Sequence, residues 1–161
     1  MSILLLGVGN VLLTDEAIGV RAIEAFERRF DIPAGVEVLD GGTAGMELLE
    51  TMASRDHLII VDAVLASKKE PGSILILKDS EVPRLFTNKI SPHQLGLADV
   101  LSALHMTDES PKRLTLIGVI PESLEPHIGM TPTVANAIDG VLDKIIDVLA
   151  QENISVTAKE E

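Results

Sequence analysis

Four carboxylates stand where predicted strands end. Glu16 comes just after the first aliphatic run of the chain, and Glu122 follows the fifth. Asp40 and Asp62 come directly after the second and third runs. Because ligands of open α/β sheets bind beyond the carboxyl ends of parallel strands, these side chains are expected on one rim of a sheet. Carboxylates gathered there raise one another's pKa unless a cation lies among them, so the pattern predicts a cation site.

His93 is the candidate nitrogen ligand for such a cation. Pro92 places it at the mouth of a long loop and at the start of a predicted helix, where an exposed imidazole contributes little to the core. With Glu16 and Asp62 it would make a mixed oxygen and nitrogen site with open positions, suited to zinc, nickel or a similar divalent ion. The chain has 0 Cys, which excludes thiolate ligands. We expect the three side chains to converge within coordination reach of one point beyond the sheet's carboxyl edge.

Each of these residues also has a purely structural interpretation. Asp15 and Asp40 suit helix caps or Asx turns, in which the side chain accepts a backbone hydrogen bond. Asp62 follows the aliphatic run 58–61, so it is expected to be partly buried and could serve a structural ion pair instead of a metal. His93, taken alone, suits a helix terminus or the core at least as well. Weaker candidates are the three other histidines, His57, His105 and His127.

Two glycine-rich turns give only weak support for nucleotide binding. The turn at 7–9 (GVG) has Leu12 where the dinucleotide fingerprint has its third glycine, and the acidic rim would repel a pyrophosphate. The loop at 41–45 (GGTAG) can cradle an anion with its N–H groups, but it lacks the lysine of a P-loop. The chain has no G-x-S-x-G nucleophile elbow and no H-E-x-x-H motif, so serine hydrolases and ordinary zinc proteases lose their main support.

Composition limits the partners and the compartment. The 161 residues carry 13 Lys and Arg against 25 Asp and Glu, and the net charge of −12 repels nucleic acid and acidic lipid. The absence of cysteine fits a reducing cytoplasm, and no apolar run is long enough to cross a membrane. A hydrophobic fraction of 46% at this length supports one buried core. We therefore expect a cytoplasmic protein with a single α/β domain over residues 1–150 and a polar, frayed tail over 151–161.

The elements that must hold these residues alternate between strands and helices. Aliphatic runs predict strands over 3–6, 36–39, 58–61, 74–77 and 114–120. Amphipathic spacing and N-cap residues predict helices from about 14 or 15, over 46–53, over 93–104 and from 131 onward. The turn at 68–72 is too short for a helical crossover, so the fourth strand is expected to be antiparallel. This order predicts a three-layer α/β sandwich, with a mostly parallel five-stranded sheet, one antiparallel strand and helices on both faces.

Two further expectations concern the helix over 46–53 and the loops. Met46 and Leu49 are expected to face inward from that helix, with Leu48 as a further candidate. The segments 78–92 and 121–130 have weak periodicity and are predicted as loops, and long loops inside a compact domain are often functional.

Four motifs occur in order along the predicted rim. They are the segments 7–20 (GVGNVLLTDEAIGV), 39–45 (LDGGTAG), 61–63 (VDA) and 91–94 (SPHQ). Together with 118–122 (GVIPE), they closely resemble the nickel-iron hydrogenase maturation endopeptidases, and the likeness runs from Ile3 to about Leu149. That family removes a short C-terminal peptide from the precursor of the hydrogenase large subunit once nickel has been inserted. The resemblance implies the same reaction here, by a metal-dependent, aspartic-type endopeptidase.

The resemblance also implies roles for individual residues. The family's metal-contacting acid, aspartate and histidine correspond to Glu16, Asp62 and His93. Its Asp-Gly-Gly-Thr loop corresponds to Asp40, which would position or deprotonate the attacking water. Asp40, Asp62 and Glu16 are thus the implied catalytic residues. Many relatives have Asp-Gly where this chain has Glu16-Ala17, which keeps a carboxylate on a side chain one methylene longer.

The source of the metal and the activity both have alternatives at this level. Three protein ligands leave positions that nickel of the substrate could fill, so the ion could arrive with the precursor, and zinc or another divalent ion could substitute for it. A protease with a resident metal is the enzymatic alternative. A nickel-site checking chaperone, which binds without cutting, is the non-enzymatic one. The implied partner is the large-subunit precursor, and a monomer is favoured.

Overall fold

The computed structural model describes residues 1–66, 68–82 and 92–160, and its strands form two sheets. In chain order the strands are β1 (Ile3–Val8), β2 (Phe30–Asp31), β3 (Val36–Gly42), β4 (His57–Ala63), β5 (Ile74–Lys78), β6 (Arg113–Val119) and β7 (Thr157–Ala158). The central sheet has the order β3-β1-β4-β6-β5. Strand β5 runs antiparallel to β6, and the other neighbours are parallel, as predicted.

Helices cover both faces of this sheet. They are α1 (Ile18–Arg29), α2 (Leu49–Met52), α3 (Pro92–Met106), α4 (Pro132–Ala135) and α5 (Ile138–Gln151), with 3-10 turns at Thr14–Ala17 and Met46–Leu48. Alternate residues of β4 point to opposite faces: Ile59 packs in a cluster with Phe26 of α1 and Ile145 of α5. Ile60 packs in a second cluster, with Leu97 of α3. The predicted three-layer α/β sandwich is confirmed.

The register of the central strands fixes where the acidic residues lie. Gly7 of β1 pairs with Asp40 on one side and with Val61 on the other. Asp62 therefore stands one residue further along β4, at the carboxyl end that β1, β3 and β4 share. Parallel strands are about 4.8 Å apart, so Asp40 and β4 are separated by roughly 10 Å across the sheet.

Three predicted details differ from the structure or fall outside it. Met46 is exposed, whereas Leu48 and Met52 are buried, because a 3-10 turn precedes the short helix and rotates its inner face. The last helix is divided into α4 and α5, with Thr131 capping α4 through the N–H of Val134. Of the predicted loop over 78–92, residues 83–91 lie outside the described residues.

The segment expected to be a frayed tail makes contacts with the domain in the structure. Glu152 is buried, and its carboxylate lies 3.4 Å from Nδ1 of His57 and 3.1 Å from the guanidinium of Arg113. Strand β7 then pairs antiparallel with β2. Burial lowers the pKa of His57, with Glu152 opposing that effect. The anchoring also includes Ile154 and Val156, which pack against the core, so the polar composition of the segment concealed it.

Among helices in the described part of the chain, none combines the length and the apolar character that crossing a bilayer requires.

Candidate active site

The tight connection between β1 and α1 places Glu16 at the carboxyl edge of the sheet. Gly9 has a φ of 131°, and a Cβ there would collide with the carbonyl oxygen of Glu16, so the chain can close this turn only around glycine. The N–H of Asn10 donates to Oε1 of Glu16 at 3.1 Å. Glu16 is buried, and its carboxylate is therefore held in a fixed direction.

Asp62 lies at the carboxyl end of β4 and is fully buried, with 0% of its surface exposed. Its carboxylate lies within hydrogen-bonding distance of the His93 ring and of the Gln94 amide. Burial raises the pKa of Asp62, while the bonds from His93 and Gln94 act in the opposite direction. A carboxylate so deep in the protein keeps its charge only with donors on its oxygens.

His93 lies in the first turn of α3, between the two acids. Its Nδ1 is 2.8 Å from Oε1 of Glu16, and its Nε2 is 3.0 and 3.1 Å from the two oxygens of Asp62. Burial works to lower the pKa of His93, but the two carboxylates prevail and raise that pKa to about 9. At neutral pH the ring is therefore an imidazolium that donates through both nitrogens. The expectation of an exposed loop histidine is wrong, because this residue is buried at 4% exposure.

The three predicted metal ligands thus come together as a hydrogen-bonded chain, Glu16–His93–Asp62. They are not arranged around a common point, because the imidazole ring lies between the two carboxylates. Across the described ranges, no three His, Asp or Glu side chains are placed to hold one metal ion. The donor types still fit a borderline metal such as nickel or zinc. Binding one requires His93 to lose a proton and to give up at least one of its two carboxylate partners.

Asp40 occupies a different position on the same edge. It is exposed, and its Oδ1 accepts a hydrogen bond from the N–H of Gly42 at 2.9 Å, which closes the Asx turn foreseen as its structural role. Gly42 has a φ of 51°, so the backbone turns sharply beside this carboxylate. The hydrogen bond of the turn uses Oδ1 and does not involve Oδ2 of Asp40. The residue therefore combines a fixed position with access to solvent.

Gln94, for which the sequence indicates no role, is buried and holds Asp62 in place. Its Nε2 donates at 3.0 Å to Oδ2 of Asp62 and at 3.0 Å to the carbonyl oxygen of Ala63. One amide group thus joins the start of α3 to the end of β4. The available signal was its place directly after His93 at a helix start, where side chains turn toward the rim of the sheet.

Asp15 was interpreted as a helix cap or an Asx-turn residue, but its carboxylate holds a distant loop instead. Its carboxylate accepts from the N–H groups of Glu122, Ser123 and Thr131 at 2.8 to 3.0 Å, and from the Thr131 hydroxyl. It is fully buried, and its bonds tie the segment after β6 to the turn that carries Glu16. Glu122 is exposed and enters this contact through its backbone.

This arrangement can bind a cation or transfer a proton at the rim of the sheet. A buried imidazolium between two carboxylates is a proton store whose positive charge is stabilised by its negative neighbours. If the proton is replaced by a divalent ion, the same atoms supply one nitrogen and several oxygen ligands. Asp40 adds an exposed carboxylate that can accept a proton from water.

Comparison with known proteins defines the class to which this fold and site belong. The family model described as "Hydrogenase maturation protease" matches residues 20–148, so the chain belongs to that family and is an endopeptidase of hydrogenase maturation. The hydrogenase 2 maturation protease of Escherichia coli K12 is 64% identical over 160 residues, which cover 99% of this chain and 98% of that protein. The hydrogenase expression/formation protein HupD of Bradyrhizobium diazoefficiens is 42% identical, over 98% of this chain and 82% of its own length.

Solved structures agree with that assignment. The structure of the hydrogenase maturating endopeptidase HybD from Escherichia coli superposes with a TM-score of 0.96 at 64% identity, covering 99% of this chain and 98% of that one. The maturation protease HybD of Thermococcus kodakarensis shares the fold with a TM-score of 0.75 at 22% identity, over 92% and 99% of the two chains.

Proposed function

We propose that this endopeptidase removes a C-terminal peptide from the nickel-loaded precursor of a nickel-iron hydrogenase large subunit, of the hydrogenase 2 type. The similarity to the hydrogenase 2 maturation protease supports that choice of substrate. In this proposal the nickel belongs to the precursor and signals that the large subunit is ready to be cut. The enzyme works as a monomer in the cytoplasm, where the precursor is completed.

The observation that carries the proposal is the buried chain Glu16–His93–Asp62 at the carboxyl edge of the sheet. Two carboxylates and one imidazole are ligand types that nickel accepts, and they are preassembled with a proton on each ring nitrogen. Glu16, His93 and Asp62 would hold the nickel of the precursor at this edge. For this, His93 would have to lose a proton and give up its bond to one of the two carboxylates.

The reaction is a metal-dependent hydrolysis of aspartic type. Nickel supplies Lewis acidity, which polarises a carbonyl and lowers the pKa of a bound water. Asp40 takes the proton of the attacking water, because it is exposed and its Oδ1 is fixed by the N–H of Gly42. Asp62 and Glu16 would hold the ion, and their negative charges would offset its positive charge once His93 has lost its proton. Gln94 keeps Asp62 in position during that change.

In this proposal the nickel arrives with the precursor, whereas a protease with a resident metal would carry its own ion. A site in which the imidazole bonds to both carboxylates offers a free ion no preformed cage, so the purified protein should bind divalent metal weakly. Zinc or another divalent ion can occupy the same atoms when it is supplied in excess. Stoichiometric metal that survives dialysis against a chelator would contradict the borrowed-ion proposal.

Peptide release is the direct test of the function. Purified chain is incubated with nickel-loaded hydrogenase 2 large-subunit precursor, and the intact masses of both products are measured. The proposal expects a shortened precursor and one released C-terminal peptide, and no release with the His93→Ala variant. Binding of the loaded precursor by the wild-type chain without any change in mass would favour the nickel-site checking chaperone instead.

A further inference from the structure

Large apolar side chains are exposed around the Glu16–His93–Asp62 chain. Nine such side chains are exposed among the described residues, and six of them lie on connections beyond the carboxyl ends of the parallel strands or in the first turns of α3. We call these six the apolar collar: Leu12, Met46, Leu65, Leu95, Leu124 and Ile128. The other three, Met1, Ile32 and Met106, lie at the opposite edge of the sheet or at the far end of α3.

Backbone contacts hold one side of the collar together. The N–H of His127 donates to the carbonyl of Leu12 at 3.0 Å, and the N–H of Thr14 donates to the carbonyl of His127 at 3.0 Å. Leu12 and Ile128 therefore flank a fixed bridge between two loops. Their side chains are 56% and 71% exposed. The same turn leads directly to Glu16, so this side of the collar adjoins one end of the hydrogen-bonded chain.

The opposite side of the collar is held by a close approach of two glycines. A Cβ on Gly45 would lie 3.3 Å from the Cα of Gly96, so the loop after β3 packs directly against the start of α3. Met46 and Leu95 are the neighbours of these glycines and are 52% and 46% exposed. Leu95 is two residues from His93. Glu16 thus follows one anchored pair of exposed apolar side chains along the chain, and His93 adjoins the other.

The charges of the described residues around the collar are mostly acidic. The exposed acids of these loops are Asp40, Glu47, Glu122 and Glu125, and the segments 9–17, 40–47 and 120–131 contain no lysine or arginine. Within the described ranges, the basic exceptions on these connections are Lys68 and Lys69, which follow Leu65. A surface with exposed apolar side chains and an acidic border fits a partner that is apolar at its centre and basic at its edge.

We infer that the apolar collar is the surface on which the folded precursor docks, presenting an apolar patch bordered by lysine and arginine. This inference rests on the proposed function, because the precursor must cover this edge to bring its nickel to His93. Apolar side chains anchored by a rigid backbone lose little freedom on binding, so they favour affinity. The collar contributes to binding of the precursor and leaves the chemical step to the residues inside it.

Paired charge substitutions on each edge of the sheet provide the test. The collar variant is Leu12→Asp/Ile128→Asp, and the matched control is Ile32→Asp/Met106→Asp, which alters two exposed apolar side chains at the opposite edge. Affinity for purified nickel-loaded precursor is measured by calorimetry, KM and kcat by the mass of the released peptide, and folding by thermal melting. We expect the collar variant to bind at least about tenfold more weakly, with a raised KM and an unchanged kcat. The control should match the wild type, and binding by the wild type should weaken as salt rises.

The outcomes separate this inference from the proposed function. Equal affinities of the collar variant and the control would overturn the collar, even if the wild type cuts the precursor. Tight binding that depends on the collar, without any cutting, would support the collar and contradict the proposed function. A dimer of the wild type that the collar variant dissociates, with precursor affinity unchanged, would show that the collar serves a second copy of this chain. Should the aspartates prevent folding, Leu12→Ser/Ile128→Ser is measured against Ile32→Ser/Met106→Ser.

Discussion

Nε2 of His93 lies 3.0 and 3.1 Å from the two carboxylate oxygens of Asp62, while Nδ1 of the same ring lies 2.8 Å from Glu16. The three residues come from a helix start, the end of a strand and a 3-10 turn. Their contact fixes the protonation of His93 and the direction of both carboxylates. In the proposed function, metal binding therefore requires this hydrogen-bonded arrangement to open.

Removing the imidazole should abolish cleavage and weaken the fold. His93→Ala leaves Glu16 and Asp62 buried without the cation between them. Loss of one partner of a buried ion pair costs on the order of 3 kcal/mol, part of which protonation of Asp62 would recover. Urea unfolding measures the stability, and the mass of the precursor measures cleavage. His105→Ala, an exposed histidine near the end of α3, is the control and should leave both unchanged.

The metal-free protein should lose stability as the pH rises through about 9. The pKa of His93 is about 9 in the folded state and 6.5 in an ordinary histidine, so the folded state holds the extra proton between these values. Its stabilising contribution is complete below pH 6.5 and is lost as the pH rises through 9, at up to about 1.4 kcal/mol per pH unit. Unfolding free energies between pH 6 and 10 measure this. A flat profile over that range would contradict the assigned imidazolium.

Asp62→Asn should shift that titration to lower pH. The amide keeps the shape of the side chain but removes the charge that most raises the pKa of His93. An NMR titration of the His93 ring protons should give a lower pKa in the variant than in the wild type. Asp99→Asn, an exposed position on α3, serves as the control. Identical pKa values in wild type and Asp62→Asn would mean that Glu16 alone determines the charge of the ring.

Gln94 should act as a positioning residue. Gln94→Leu removes the donor that joins Asp62 to Ala63, so Asp62 can turn away from His93. We expect a fall in kcat of about tenfold or more with little change in KM, together with a changed pKa of His93. Gln151→Leu, at an exposed site, controls for the substitution. A change in stability alone, with kcat and the His93 pKa both intact, would reduce Gln94 to a packing role.

Replacing Asp40 should slow cleavage of the precursor without weakening its binding. Asp40→Asn keeps an oxygen that can accept the bond from Gly42 and loses the base. The variant should still bind nickel-loaded precursor with wild-type affinity but should cut it at least about a hundredfold more slowly, a typical contribution of a general base. Wild-type rates would remove Asp40 from the mechanism. Loss of binding would instead make Asp40 a recognition residue.

Hydrophobic patterning predicted the sheet because its strands are nearly pure aliphatic runs. β4 is buried along its whole length, so the run before Asp62 could only be an interior strand. The short turn before β5 gave its antiparallel direction correctly. Met46 was misplaced because a 3-10 turn shifts the helical phase, which the spacing of apolar residues does not reveal.

For the site, the sequence predicted which residues lie at the carboxyl edge of the sheet, but it did not predict how their side chains contact one another. Glu16 and Asp62 follow strands, and His93 begins a helix, so their meeting at one rim followed from the topology. That His93 lies between the acids did not follow, because it depends on the depth of α3 and on the brace from Gln94. The role of Asp15 was not predictable either, because its partners are backbone groups more than one hundred residues away along the chain.

The most direct test of the proposal that the precursor supplies the nickel is cleavage by metal-stripped enzyme. The purified chain is dialysed against a chelator, and its residual metal is measured by mass spectrometry. It is then mixed in chelator-free buffer with nickel-loaded or nickel-free precursor, and the intact mass of each precursor is followed over time. We expect the stripped enzyme to shorten the loaded precursor at the wild-type rate and to leave the nickel-free precursor whole. Cleavage of the nickel-free precursor, or loss of all activity until metal is returned to the enzyme, would contradict the proposal that the nickel arrives with the precursor.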